Sequence, residues 1–158
     1  MKKYINKVTI TCIIFLLIAG YYTYTNITAE IPRKSPTVTI KYNDKNVPSN
    51  MADHTWFARK EGGSSCMTVG SYKIGQKTES IIVNSKDIME IKFSSAPKEI
   101  RVLHWISNDK ANKVHNVQSP EKKYELTLPS EKGEYIFEVM GIWDDAHNTS
   151  NVFRFKIE

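Results

Sequence analysis

The chain has 158 residues, 41% of them hydrophobic, with 22 basic and 17 acidic side chains and a net charge of +5. Its two cysteines exclude a disulfide-built scaffold, because Cys12 lies in an apolar N-terminal run and leaves Cys66 without a partner in the rest of the chain. Three of the basic residues precede that run; the remainder carries 19 basic against 17 acidic groups, too even a balance to indicate nucleic acid or an anionic polymer as partner.

Lys2, Lys3 and Lys7 lead into the apolar run Val8–Gly20, and Tyr21, Tyr22 and Tyr24 follow where an interfacial aromatic belt would lie. Residues 1–29 therefore read as an N-terminal hydrophobic helix, either a single-pass membrane anchor or a secretion signal. In both cases the lysines stay cytoplasmic and the following residues face outward. Ile18-Ala19-Gly20 and Ile27-Thr28-Ala29 each lack a small residue three positions before the cut, which favours the anchor. A span normally needs ~20 apolar residues, so the shortness of the run keeps a cleaved signal as the alternative. Residues 30–36, with Pro32 and Pro36, read as a stalk.

Residues 37–158 are of single-domain size and carry recurrent short β patterns. Thr37–Tyr42 alternates, Asp53–Ala58 carries Trp56 and Phe57, and Ser80–Val83 is short and apolar. Asp87–Phe93 spaces Ile88, Ile91 and Phe93 unevenly, implying a bulge or partners on both faces. Glu99–Ile106 alternates Ile100, Val102, His104 and Ile106 against Arg101, Leu103 and Trp105, and Lys123–Leu128 alternates Tyr124, Leu126 and Leu128. Glu134–Trp143 and Asn151–Ile157 are the strongest, with Phe153, Phe155 and Ile157 on one face. Turn signals separate these runs at Asn43-Asp44, Asn84-Ser85, Ser107-Asn108-Asp109, Pro129-Ser130 and Asp144-Asp145, and no stretch beyond the leader keeps a helical period. Some seven to nine strands of this kind predict an all-β antiparallel sandwich. Trp105, as a large aromatic between sheets, and Gly133-Glu134-Tyr135, with the layout of a tyrosine corner, suggest an immunoglobulin-like winding.

The tail KGEYIFEVMGIWDDAHNTSNVFRFKIE, through Gly133, Tyr135, Phe137, Val139, Trp143, Phe153 and Phe155, resembles a diffuse group of short Gram-positive surface proteins of unassigned function. Lys98–Trp105, followed by Leu128-Pro129, adds to the likeness, which covers roughly the last 70 residues. The resemblance implies a signal or anchor followed by one immunoglobulin-like domain. It carries over no catalytic residue, since the matching positions are packing residues. The polar stretch Asp144–Asn151 departs from the group as a longer turn.

Candidates for chemistry are few. His54, His104, His115 and His147 show no ligand spacing, and His104 reads as a half-buried core histidine. Asp144, Asp145, His147 and Asn148 cluster in one turn and are the candidate ligand or partner contacts, although the spacing lacks a calcium loop with its distal glutamate. Gly62–Ser65 is a second candidate contact loop. No nucleophile elbow or phosphate loop is present, and no catalytic residue, metal site or cofactor is assigned. The sequence therefore points to a non-catalytic binding module of the cell envelope, membrane-tethered or secreted, whose partner is an envelope protein or a small extracellular ligand. A calcium-dependent adhesion or sensor module, or an envelope enzyme whose groups converge only in space, are the alternatives.

Overall fold

The computed structural model describes residues 7–27, 31–32, 34–57, 63–66, 70–114, 117–118 and 123–158. The chain divides into two compact units, Met1–Pro32 and Arg33–Glu158. The first holds one helix, α1 (Lys7–Ile27). The expectation of a single-pass anchor is overturned: no helix among the described residues is long and apolar enough to cross a membrane. The physical reason is that the apolar run stops at Gly20 and the helix continues as Tyr-Tyr-Thr-Tyr-Thr-Asn-Ile. At a rise of ~1.5 Å per residue the apolar part covers roughly 20 Å of a hydrocarbon core about 30 Å thick.

The second unit is built of β-structure in two sheets. The smaller orders β10 (Val117–Gln118), β11 (Tyr124–Thr127), β7 (Ile88–Phe93), β1 (Val38–Tyr42) and β2 (Lys45–Asn46), all antiparallel. The larger orders β5 (Gly63–Cys66), β4 (His54–Phe57), β13 (His147–Ile157), β12 (Gly133–Asp144), β8 (Glu99–Ser107) and β9 (Lys110–Val114). One edge of β13 is shared in relay: β4 pairs with His147 and Asn148, β3 (Ser49–Met51) with Asn151–Phe153, and β6 (Ser80–Val83) with Arg154–Ile157. The β6 pairing is parallel, the one departure from antiparallel order among the described strands. The β1–β2 turn is closed by Asn43 and Asp44 at φ 48° and 62°, the left-handed pair that a two-residue hairpin requires.

The core forms where the sheets face each other. Alternation places Phe137, Val139 and Trp143 of β12, Phe153, Phe155 and Ile157 of β13, and Val102 of β8 inward against Ile40, Met89, Ile91, Phe93 and Leu126 of the smaller sheet. Phe93 and Trp143 meet edge to face at 5.8 Å across the gap, and a Cβ on Gly141 would lie 2.5 Å from the Phe93 ring, so only glycine admits that approach. In β7 the buried residues are Met89, Ile91 and Phe93, while Ile88 is exposed; the strand alternates regularly and needs no bulge. The Tyr135 hydroxyl donates to Glu131 O at 2.9 Å, the back-bond expected of a tyrosine corner.

Two expectations are corrected here. Trp105 does not pack between the sheets: it pairs with Ile136, on the opposite face of the larger sheet from His104 and Phe137. Asp144–Asn151 is not a long polar turn but a tight hairpin at Asp145-Ala146, with β13 already running from His147. Three of its polar residues, His147, Thr149 and Ser150, are buried strand residues, the last two at 1% and 0% exposure, while Asp144 and Asp145 stay exposed.

Candidate functional site

The outer face of the larger sheet is covered by α2 (Ser71–Lys77), a helix the sequence does not announce. Seven residues cannot hold a helix alone, so tertiary contacts carry it. Tyr72 and Ile74 pack on a small cluster of Ala52, Ile136 and Val152, and Gly75 sits flush on the sheet. A Cβ on Gly75 would lie 2.2 Å from Ile136 Cγ2, so this position sets the height of the helix. Its end is closed by Thr78, whose amide donates to Ile74 O and Gly75 O and whose hydroxyl donates to Ile74 O. The Asn50 amide in turn donates to the Thr78 hydroxyl at 2.9 Å, tying the helix end to β3.

Beside α2 opens a cavity of 340 Å³ lined by Tyr72, Gln76, Trp105, Ile106, Ile136 and Arg154, with Glu134 and His104 completing its border. Adjacent strands supply its parts through their register: Trp105 of β8 lies opposite Ile136 of β12, which lies opposite Arg154 of β13. Trp105 is anchored from behind. Its Nε1–H donates to Glu138 Oε2 at 2.7 Å, and the Ser150 hydroxyl donates to Glu138 Oε1. Glu138 is only 4% exposed, and both of its oxygens receive hydrogen bonds, as burial of a polar group demands. At the other end Arg154 Nη2 pairs with Glu134 Oε2 at 2.5 Å and Nη1 donates to Gln76 O at 3.1 Å. Arg154 Nε is enclosed and has no protein partner.

The contacts named from sequence lie elsewhere, at the tip of the β12–β13 hairpin. Asp144 and His147 do come together: the Nδ1 of His147 lies 2.6 Å from Asp144 Oδ1 and Nε2 lies 2.6 Å from Phe57 O. Both partners are oxygens, so the imidazole is held between two acceptors, one at each ring nitrogen. The same ring stands edge to face on Trp56, which stands edge to face on Trp143, so His147 ties the hairpin to β4 as a packing residue. The Ala146 amide also donates to Asp144 Oδ1, and the His147 hydrogen bond chiefly holds the Asp144 carboxyl below its ordinary value. Asp145 is exposed in the turn, and Asn148 pairs with Thr55 in the ladder. Among the described residues no group of three or more histidine, cysteine, aspartate or glutamate side chains is placed to hold a metal. Of the Gly62–Ser65 loop, Gly63–Ser65 belong to β5, paired with β4, while Gly62 and His115 lie outside the described residues.

His104, on the inner face, touches the rings of Tyr135 and Phe137 at 5.2 Å each, and burial pushes its imidazole below the ordinary histidine value. A lowered value means that the folded state binds fewer protons, so stability is full above about pH 6.5 and declines as the pH falls below it. The Asp144 contribution is lost only below about pH 3.9, where the unfolded carboxyl protonates. Urea unfolding followed from pH 7 to pH 5 should show a stability decline that His104→Phe removes and Asp144→Asn leaves in place. No protein-family model, no curated protein and no solved structure matches this chain, so the reading of the cleft rests on its own chemistry.

Proposed function

We propose that the chain is a secreted, non-catalytic binding module in which an immunoglobulin-like β-sandwich presents a small-molecule cleft between α2 and the outer face of its larger sheet. The observation that carries this reading is the cleft itself: 340 Å³ in which Arg154, Glu134 and Gln76 meet the ring and aliphatic surfaces of Tyr72, Trp105, Ile106 and Ile136. Small-ligand sites usually have ~300–1,000 Å³ and a few convergent polar groups that fix the ligand's orientation; this cleft has both, with more polar than apolar surface facing its space. Support for binding over catalysis comes from Glu138, whose two oxygens are committed to Ser150 and Trp105 rather than left to act on a substrate. The Tyr135 corner supports the immunoglobulin-like winding, and the basic residues ahead of a short apolar run support export.

Thermal unfolding in the presence of a library of small neutral, anionic and cationic compounds tests the reading. A ligand that binds only the folded state raises the midpoint by mass action. Gly75→Ala must lift α2 or displace Ile136, at a cost of about 1–3 kcal/mol by overpacking. The expected result is stabilisation of the parent by one compound class and loss of that response in Gly75→Ala while the variant still unfolds cooperatively. An equal response in both proteins places the ligand elsewhere and contradicts the proposal.

A further inference from the structure

The cleft holds one group of each charge, and they are spent on each other. Arg154 and Glu134 form an ion pair at 2.5 Å, with the arginine 25% and the glutamate 55% exposed. An anionic ligand would have to displace Glu134 from Arg154, and a cationic one would have to displace Arg154 from Glu134. A neutral ligand meets no such competitor. It finds instead a row of directional groups: the terminal guanidinium N–H donors of Arg154 left over from Glu134 and Gln76 O, the carboxylate lone pairs of Glu134, and the side-chain amide of Gln76.

Beside these groups the cleft also offers ring and aliphatic surface. The indole Nε1–H of Trp105 is consumed by Glu138, so what that residue offers the cleft is its apolar ring surface, beside Ile106 and Ile136. The indole is held in place before any ligand arrives, which lowers the entropic cost of using it as a platform. The ligand must therefore carry an apolar face, several hydroxyl or carbonyl groups along its edge, and no net charge, and it must fit 340 Å³. A pyranose ring has that distribution, with its axial C–H bonds on one face and hydroxyls around its rim.

We infer that the cleft takes a neutral sugar, a monosaccharide or the terminal unit of a glycan, laid on Trp105 with its hydroxyls toward Arg154, Glu134 and Gln76. This inference rests on the ligand-binding reading above and narrows it to one chemical class.

Calorimetric titration of the full-length protein tests it. The neutral probes are the methyl glycosides of glucose, galactose and N-acetylglucosamine; the charged probes are inorganic phosphate and tetramethylammonium. At least one glycoside should bind saturably, weakened tenfold or more by Trp105→Ala and fivefold or more by Arg154→Lys. Neither charged probe should compete. Arg154→Lys keeps the result interpretable if the loss of Trp105 disturbs folding, and Trp105→Phe should restore most of the affinity by returning a ring. Phosphate binding that depends on Arg154, without glycoside binding, overturns the sugar assignment and leaves the small-ligand cleft standing. Glycoside binding unchanged in both variants overturns the assignment to this cleft, and silence from every probe overturns both readings.

Discussion

Phe137→Ala should lower the unfolding free energy by about 3–5 kcal/mol, the range found when a buried phenylalanine is truncated. Phe137 is 1% exposed and sits where both central ladders cross, opposite His104 on β8 and Phe153 on β13. Its ring lies 5.1 Å from Phe155, 5.2 Å from His104 and 6.0 Å from Phe153, so truncation leaves a void with aromatic walls on several sides. Phe153 and Phe155 are fully buried and held in the β12–β13 ladder, so they cannot collapse far inward. Against a typical total of ~5–15 kcal/mol the loss is a large fraction, and it should appear as a lower urea midpoint with an unchanged slope. A loss below about 1 kcal/mol would mean that the two sheets do not enclose this side chain.

Glu138→Ala should be the second most damaging substitution, and by a different route. The carboxylate is the acceptor for both Trp105 Nε1–H and the Ser150 hydroxyl, and Ser150 is completely buried. Leaving a buried donor unsatisfied costs roughly 1–3 kcal/mol, and two donors are released at once. Glu138→Gln retains a carbonyl acceptor at one position and should lose less than half as much. The pair of variants separates lost hydrogen bonding from lost volume, since alanine removes both and glutamine conserves the second. Trp105 fluorescence should become more exposed in Glu138→Ala, because the anchor behind the indole is gone. Equal stability of the two variants would show that the carboxylate does not organise this face.

The sandwich was legible because β12 and β13 alternate so strongly: Phe153, Phe155 and Ile157 share one face, and Phe137 and Tyr135 stand opposite Phe153 and Phe155 across the ladder. The Asn43-Asp44 turn and the Tyr135 back-bond were legible for the same reason, each depending on residues close in sequence. Trp105 was misplaced because both faces of the larger sheet are covered. When each face is buried, alternation shows that His104 and Trp105 point to opposite sides without showing which side is the interior. The α2 helix escaped notice because it is one short stretch whose central contact is a glycine, a residue that weakens helix propensity and reads locally as loop. Polar character in Asp144–Asn151 suggests an exposed turn, yet Thr149 and Ser150 lie in a buried strand, where the Ser150 hydroxyl is used by Glu138. The cleft was invisible to sequence reading for a simpler reason. Its lining runs from Tyr72 to Arg154, and only sheet register brings those residues together.

The most direct measurement of the central claim, that the outer-face cleft is the binding site, uses the three tryptophan indole N–H resonances of the ¹⁵N-labelled full-length protein. Trp56 and Trp143 are 4% and 5% exposed in the inter-sheet core, whereas Trp105 lines the cleft. On titration with the small-molecule panel, the account predicts that the Trp105 indole signal moves together with the Gln76 side-chain and Arg154 Nε signals, while Trp56 and Trp143 stay fixed. Shifts confined to Trp56, His147 and the Asp144–Asn148 hairpin, with Trp105 unmoved, would contradict it.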